Sequence, residues 1–531
     1  MQSFISPTNQ EVRDTESLCH TTRVKLNTAA LAEAQTATIK EHQMSLWQGI
    51  RVYHKAAGWS ILLSTTTIME GYDNALIGSF YAFPAFQKKY GQPLADGSYG
   101  LTAPWQAGLS CGMIVGQILG LLLNGIISER LGYKRTMLAS LTAVITFVPI
   151  LFFAQNIQTL VIGELLLGIP LGVFQTLAVA YASEVCPVVL RCYLATYINL
   201  SWVIGQLLAS IVLRGLLNNT SQWSYRIPFT IQWVWPVPII VGVIFAPESP
   251  WWLVRKGRIE EATAALRRLT RSDTANFDAK ETVSMIVHTN ELEKEMSAGT
   301  SYWDCFKSAN IRRTRLTCFV WAMLVLCGAG LMAYSTYFYE QAGIPTSASF
   351  SLSLGQYAIG FFANLFSCYL MRAFGRRSLY VAGLSLLTIT LFVIGFLALA
   401  GDKTGTSWAI GSLLLVYVFF YNSTSGPVSY SLVAELSSTR LRSKTIVLSR
   451  VLYNVLCIVN YIVLPYMLNP TAWNWKGKAG FFWGSTCLLC ALWSYFYLPE
   501  TKGRTYSELD ILFEQNIAAR KFKVTTVDPF R

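Results

Sequence analysis

The sequence predicts an all-α polytopic membrane protein with twelve transmembrane helices in two six-helix halves. Three observations lead there. Apolar residues make up 53% of the 531-residue chain and charged residues 13%, where soluble proteins carry about a quarter charged. The charges are segregated: 108–127, 138–154, 194–213, 379–400 and 479–498 contain none, and each stretch can cross a hydrocarbon core about 30 Å thick. Three short motifs also occur twice at nearly constant offset, the mark of an internally duplicated helix bundle.

The expected spans are 57–83, 106–127, 136–154, 159–182, 194–215, 228–246, 316–337, 351–371, 379–400, 408–431, 446–468 and 479–498. The repeated motifs fall at their ends. Gly132-Tyr133-Lys134-Arg135 is echoed by Gly375-Arg376-Arg377. The Glu184 and Arg191 pair is echoed by Glu435 and Arg442, and Pro247-Glu248-Ser249-Pro250 by Pro499-Glu500-Thr501-Lys502. The three offsets are 243, 251 and 252 residues. The expected organisation is a disordered polar tail (1–56), a first half (57–246), a linker (247–315), a second half (316–498) and a C-terminal tail (499–531). Paired prolines at 247 and 250 end the sixth span. In the linker, Ile259, Ala262, Leu266 and Leu269 recur at helical spacing, which predicts an amphipathic helix.

The net charge of +13 is placed as a membrane protein places it. Four short loops on one side hold ten Lys and Arg, and the six loops opposite hold six. Basic loops face inward, so both termini and the linker are expected in the cytoplasm, and no nucleic-acid surface is expected. No cleavable leader is visible, and the first span would act as the targeting signal. Most of the eleven cysteines lie within spans and read as small packing residues. Asn218 and Asn219 start two overlapping glycosylation sequons in an outward loop. There is no metal-ligand spacing, phosphate loop or nucleophile elbow, and all four histidines lie outside the spans. Neither enzymatic chemistry nor a metal or other cofactor is expected.

Five charges remain inside the expected spans: Glu70, Asp73, Glu164, Arg214 and Arg450. Each costs about 2.5–3.5 kcal/mol at mid-membrane on insertion scales. Arg214, near an outer end, is expected to snorkel. Glu164, early in the fourth span, is expected to stay hydrated at the outer interface. Glu70 and Asp73 are three residues apart and share a helical face. Two such carboxylates favour binding a proton, with Arg450 as counter-charge; a purely structural cluster neutralised by Arg450 fits as well. Asn199 and Gln206 share a face of the fifth span, and Asn364, Tyr430, Tyr453, Asn454 and Asn460 add polar groups from the second half. These groups either bond helix to helix or line a site for a hydroxyl-rich solute. Gly112, Gly116 and Gly120 on the second span, and Gly168 and Gly172 on the fourth, recur every fourth residue, a pattern that lets helices approach closely.

The loop motifs resemble those of the sugar porter branch of the major facilitator superfamily. The residues that match are Gly125, Glu129, Arg130 and Gly132, together with 247–249 and 499–503. Within that branch the chain is similar to fungal α-glucoside (maltose-type) permeases, through 69–73, 168–176, 247–252 and 469–478. The resemblance implies the major facilitator fold, alternating access, and proton symport of an α-glucoside such as maltose into the cell. It implies that Glu70, Asp73 and Arg450 couple the proton. Asn199, Gln206 and Tyr430 would line the sugar site, with Tyr453 and Asn454 beside them. Glu129, Arg130, Glu184, Arg191, Arg372, Arg376, Glu435 and Arg442 would form a cytoplasmic gate.

Two positions depart from those permeases. Gln117 stands where they carry a Glu, and Leu324 and Val325 stand where the wider family places paired amides. An apolar side chain at a sugar position loses hydrogen bonds, so a second reading keeps the fold and takes a less polar or secondary metabolite. A third reading is a nutrient sensor that does not transport; the short tail after residue 498 argues against it. The first reading places a monomeric carrier in the cell membrane.

Overall fold

The computed structural model describes residues 44–93, 97–271, 278–297, 302–401, 404–437, 441–502, 504, 506–522 and 525. In the first half the first span is Leu46–Ser64 plus Thr66–Phe80. The second is Ala103–Leu131, the third Tyr133–Phe152, the fourth Ile157–Val185 and the fifth Val188–Leu216. The sixth runs Trp223–Ile231, Gln232–Val234 and Pro236–Phe245. In the second half the seventh span is Ser308–Leu326, Gly330–Ala333 and Ser335–Gln341. The eighth is Thr346–Ala373, the ninth Arg376–Leu399, the tenth Thr404–Phe420 and Gly426–Leu436, the eleventh Arg442–Leu468 and the twelfth Ala479–Tyr497. These are the twelve helices of two six-helix halves. Among the described residues nine of the spans are long and apolar enough to cross a bilayer by length and composition. The first and seventh are broken, and the eighth buries Ser349, Ser353, Gln356, Asn364 and Ser367 along one face.

Each break has a local cause. At the first, the hydroxyls of Thr65, Thr66 and Thr67 donate to the carbonyls of Leu62, Leu63 and Ser64, competing with the helical ladder. In the seventh, Gly328 takes φ 92°, a left-handed conformation that glycine adopts without steric cost. In the tenth, Tyr421–Ser425 forms a single π turn. Pro427 follows it and has no N–H to give to the preceding turn. In the sixth, a 3₁₀ turn over Gln232–Val234 precedes Pro236.

The glycine pattern marks real close approaches. A Cβ on Gly116 would lie 3.0 Å from the Gly168 Cα and would overlap the Leu165 carbonyl. A Cβ on Gly172 would lie 2.8 Å from the Gln117 Cα. The second and fourth spans therefore meet backbone to backbone. Gly71 does the same against Trp202 of the fifth span, and Gly78 against Ala333 of the seventh.

The two halves are stitched together at one end. Ser110 bonds Tyr334 at 2.7 Å, Ser79 bonds Thr336 at 3.1 Å, and the Asn469 amide donates to the Leu101 carbonyl at 2.7 Å. The Tyr81 and Tyr334 rings stack at 5.4 Å. Arg214 Nε donates to Ser351 Oγ of the eighth span at 2.9 Å.

A separate compact unit combines the start of the first span, Ala180–Leu194 and the linker from Ala246. Its helices are Pro250–Arg255, Ile259–Leu269 and Ala279–Ser297. Ser249 caps the first of these, accepting from the Trp252 N–H, with Pro250 at the first helical position. Ala262, Leu266 and Leu269 are buried as the periodicity requires, but Ile259 is 41% exposed. It sits at the first residue of its helix, before the apolar stripe reaches its neighbours.

Candidate functional site

Four of the five charges inside the spans form two clusters, although Glu70 and Asp73 lie one turn apart. Glu70 (7% exposed) accepts a hydrogen bond from Gln175 Nε2 of the fourth span. The Gln175 carbonyl oxygen accepts from Arg450 Nη2 of the eleventh span at 2.8 Å. Among the described residues Arg450 makes no direct ion pair with an acid, and it faces Glu70, whose counter-charge it was expected to be, through the amide. An amide stands between them, its NH₂ on the carboxylate and its C=O on the guanidinium, each end matched in polarity. Gln175 was missed as a site residue, although it lies in the 168–176 tract that carries the resemblance. Its signal was a long polar side chain in a mostly apolar stretch of the span.

Arg450 is held by rings as well. Its guanidinium carbon lies 4.9 Å from the Trp321 ring centre and 4.6 Å from that of Tyr453. Trp321 meets Tyr430 edge-on at 4.9 Å and Tyr453 at 5.3 Å. Aromatic faces stabilise a desolvated guanidinium by about 2 kcal/mol, which keeps the cation inside the bundle. Trp321 too was not anticipated.

The second cluster surrounds Asp73, which is fully buried and accepts from Gln232 Nε2 of the broken sixth span at 2.7 Å. Glu164 lies beside it and is also 0% exposed. The expectation that Glu164 stays hydrated is overturned. It faces the first span across a tightly packed interface, and its depth along the chain does not bring it to the surface.

Among the described residues, Asn199, Gln206 and Asn454 make no hydrogen bond to protein, and none of their polar atoms is sealed off. Their amides are unspent, which distinguishes them from helix-bonding groups. Asn364, by contrast, is fully enclosed. Tyr430 keeps 49% of its surface open while packing on Trp321. A small cavity of about 10 Å³, room for one water, lies among Asn74, Ser110, Tyr334 and Tyr461 toward the outer end. None of the predicted sugar residues lines it.

Leu324 and Val325 are 5% and 4% exposed, and Gln117 is 3%. All three are buried in helix packing.

At the repeated loop motifs, the same contact appears twice. The Ser249 hydroxyl donates to Glu184, and the Thr501 hydroxyl donates to Glu435. Glu184 also pairs with Arg255 of the linker at 2.6 Å, a partner outside the Arg-rich loops that the resemblance implied. Glu435 lies 3.4 Å from Arg376. Glu500 accepts from the Arg376 backbone N–H at 2.8 Å, and Lys502 donates to the Arg372 carbonyl at 2.7 Å. Glu129 and Arg130 are exposed. The side chains of Arg191 and Arg442 lie outside the described residues.

The profile of the sugar (and other) transporter family matches residues 59–513. The chain belongs to that family. It is 44% identical over 507 residues to the maltose permease MAL31 of Saccharomyces cerevisiae, covering 94% of this chain and 82% of the permease. It is 42% identical over 506 residues to the general alpha-glucoside permease of the same organism, at the same coverage. Among solved structures, the inward-open xylose transporter XylE from E. coli matches with TM-score 0.70 at 20% identity, over 86% of this chain and 99% of that one. That likeness shows the twelve-helix major facilitator fold. The chain is a multi-pass sugar transporter of that fold.

Proposed function

We propose that this transporter is a proton-coupled importer of an α-glucoside such as maltose, with Glu70, Asp73 and Arg450 as its coupling groups. The observation that carries the reading is the Gln175 bridge, which ties an acid of the first half to a cation of the second. Protonating Glu70 removes the charge that holds the Gln175 NH₂, and so loosens the grip on Arg450 across the halves. A transported proton then changes how the halves are held, which is what alternating access requires. Asn199, Gln206 and Asn454 offer the sugar hydroxyls donors and acceptors that no other described residue uses, with Tyr430 and Tyr453 beside them. The maltose and α-glucoside permeases among the relatives support the substrate class. The relatives also favour a sugar over the less polar solute that Leu324, Val325 and Gln117 suggested.

The gate comprises Glu129, Arg130, Glu184, Arg191, Arg372, Arg376, Glu435 and Arg442, at helix ends where ion pairs can form in one state and part in the other. The protein works as a monomer in the cell membrane, with both termini and the 247–315 linker in the cytoplasm. It binds no nucleic acid. Asn218 and Asn219, exposed in the third outer loop, carry the glycan; a mobility shift on glycosidase treatment, lost when both become Gln, tests this. Radiolabelled maltose uptake in cells lacking their own permeases tests the main reading. Uptake should occur and should collapse when the proton gradient is dissipated. Absence of maltose uptake, or indifference to the gradient, refutes it.

A further inference from the structure

Asp73 and Glu164 present a problem that protein groups alone do not solve. Asp73 Oδ1 takes the Gln232 amide at 2.7 Å, but Asp73 Oδ2 and both Glu164 oxygens are buried and meet no donor. The two carboxyls lie within hydrogen-bonding reach of each other. Among the described residues neither forms an ion pair. The other titratable groups acting on the pair are Glu70 and Tyr72 on the first span and Tyr81 just beyond it. The sixth span contributes the neutral Gln232 amide. A carboxylate has acceptors only, so two facing carboxyls bond only when one carries a hydrogen, and two buried negative charges at that separation repel strongly.

We propose that Asp73 and Glu164 hold one proton between them, and that Glu164 is a second proton-binding residue of the transport cycle, separate from the Glu70–Gln175–Arg450 bridge. The first span supplies one carboxyl and the fourth the other, so any shift of one span against the other parts the acids. The proton then has no second carboxylate to share it and is free to leave to water. This inference rests on the reading of Asp73 as a coupling acid.

The test has two arms on purified full-length protein. In the first, infrared difference spectra are recorded without sugar between about pH 5 and about pH 8, around the range where buried carboxyls titrate. The wild type should show a protonated-carboxyl band at neutral pH. Glu164→Gln should remove it, because its amide donates to Asp73 in place of the proton. Asp73→Asn should remove the same band, and Glu164→Asp should keep it. A band unchanged in both Glu164→Gln and Asp73→Asn overturns the shared proton.

In the second arm, proteoliposomes are given an outside-acid gradient of about one pH unit, which at one proton per sugar supports about tenfold accumulation. The wild type should concentrate maltose toward that limit, and Glu164→Gln should equilibrate it without concentrating it. Wild-type accumulation by Glu164→Gln overturns the role in transport. If wild-type protein moves neither maltose nor protons, the proposed substrate and coupling fail, while the spectra still decide the proton pair.

Discussion

The Gln175 carbonyl and the Arg450 guanidinium meet at 2.8 Å, joining the fourth span to the eleventh while the other end of the same amide holds Glu70. The geometry makes an uncharged residue the hinge of the charge network. Gln175→Leu keeps the bulk and removes both hydrogen bonds. Hydrogen bonds to charged groups are worth about 1.5–3 kcal/mol, so initial uptake of labelled maltose should fall by about ten- to a hundredfold. Unchanged uptake with unchanged proton movement would show that the bridge is only structural.

Trp321 holds Arg450 by its ring, and among the described residues its indole N–H has no partner. Trp321→Phe keeps an aromatic face and loses no hydrogen bond to protein, so uptake should stay within about threefold of wild type. Trp321→Leu removes the face. A cation–π contact of about 0.5–2 kcal/mol corresponds to about two- to thirtyfold lower uptake. Equal effects of the two variants would refute the ring's role.

The repeated hydroxyl contacts on Glu184 and Glu435 should behave alike. Those acids are 14% and 22% exposed, so each hydrogen bond is worth about 1 kcal/mol. Ser249→Ala and Thr501→Val should each lower uptake several-fold. The swaps Ser249→Thr and Thr501→Ser keep the hydroxyl and should be tolerated. Uptake rates for the four variants decide the matter; swaps as damaging as the deletions would count against it.

Gly116 admits no side chain where it meets the fourth span, whereas a Cβ on Gly108 would meet open space. Gly116→Val should destabilise the protein by about 1–3 kcal/mol or more through overpacking. Gly108→Ala should be neutral or stabilising by up to about 1 kcal/mol, because glycine is a poor helix former. Thermal unfolding of both variants in detergent provides the comparison. A Gly116→Val melting point equal to wild type would show that the spans can separate freely there.

Much of the architecture is legible in one sequence because a bilayer imposes long apolar runs, and duplication repeats the loop motifs. The breaks were less legible. Ser64-Thr65-Thr66-Thr67 in the first span and Tyr421-Asn422-Ser423-Thr424-Ser425 before Gly426-Pro427 in the tenth are visible as polar interruptions. Whether such a run ends a helix depends on where its hydroxyls find carbonyls. Glu164 shows the limit most clearly. Its position along the fourth span suggested water, and its neighbours across the interface proved to be protein.

The sequence by itself determined a twelve-helix membrane protein with a duplicated loop motif, and it singled out Glu70, Asp73 and Arg450 as charges that need a reason. Those conclusions follow from composition and periodicity, which are local. Only the tertiary structure decided the partners: Gln175 between Glu70 and Arg450, Trp321 over the guanidinium, Glu164 against Asp73, and Leu324 turned into the packing. A partner depends on which helix faces approach, and that is fixed by contacts between residues far apart in the chain. Helical periodicity says which residues share a face; packing says what the face meets.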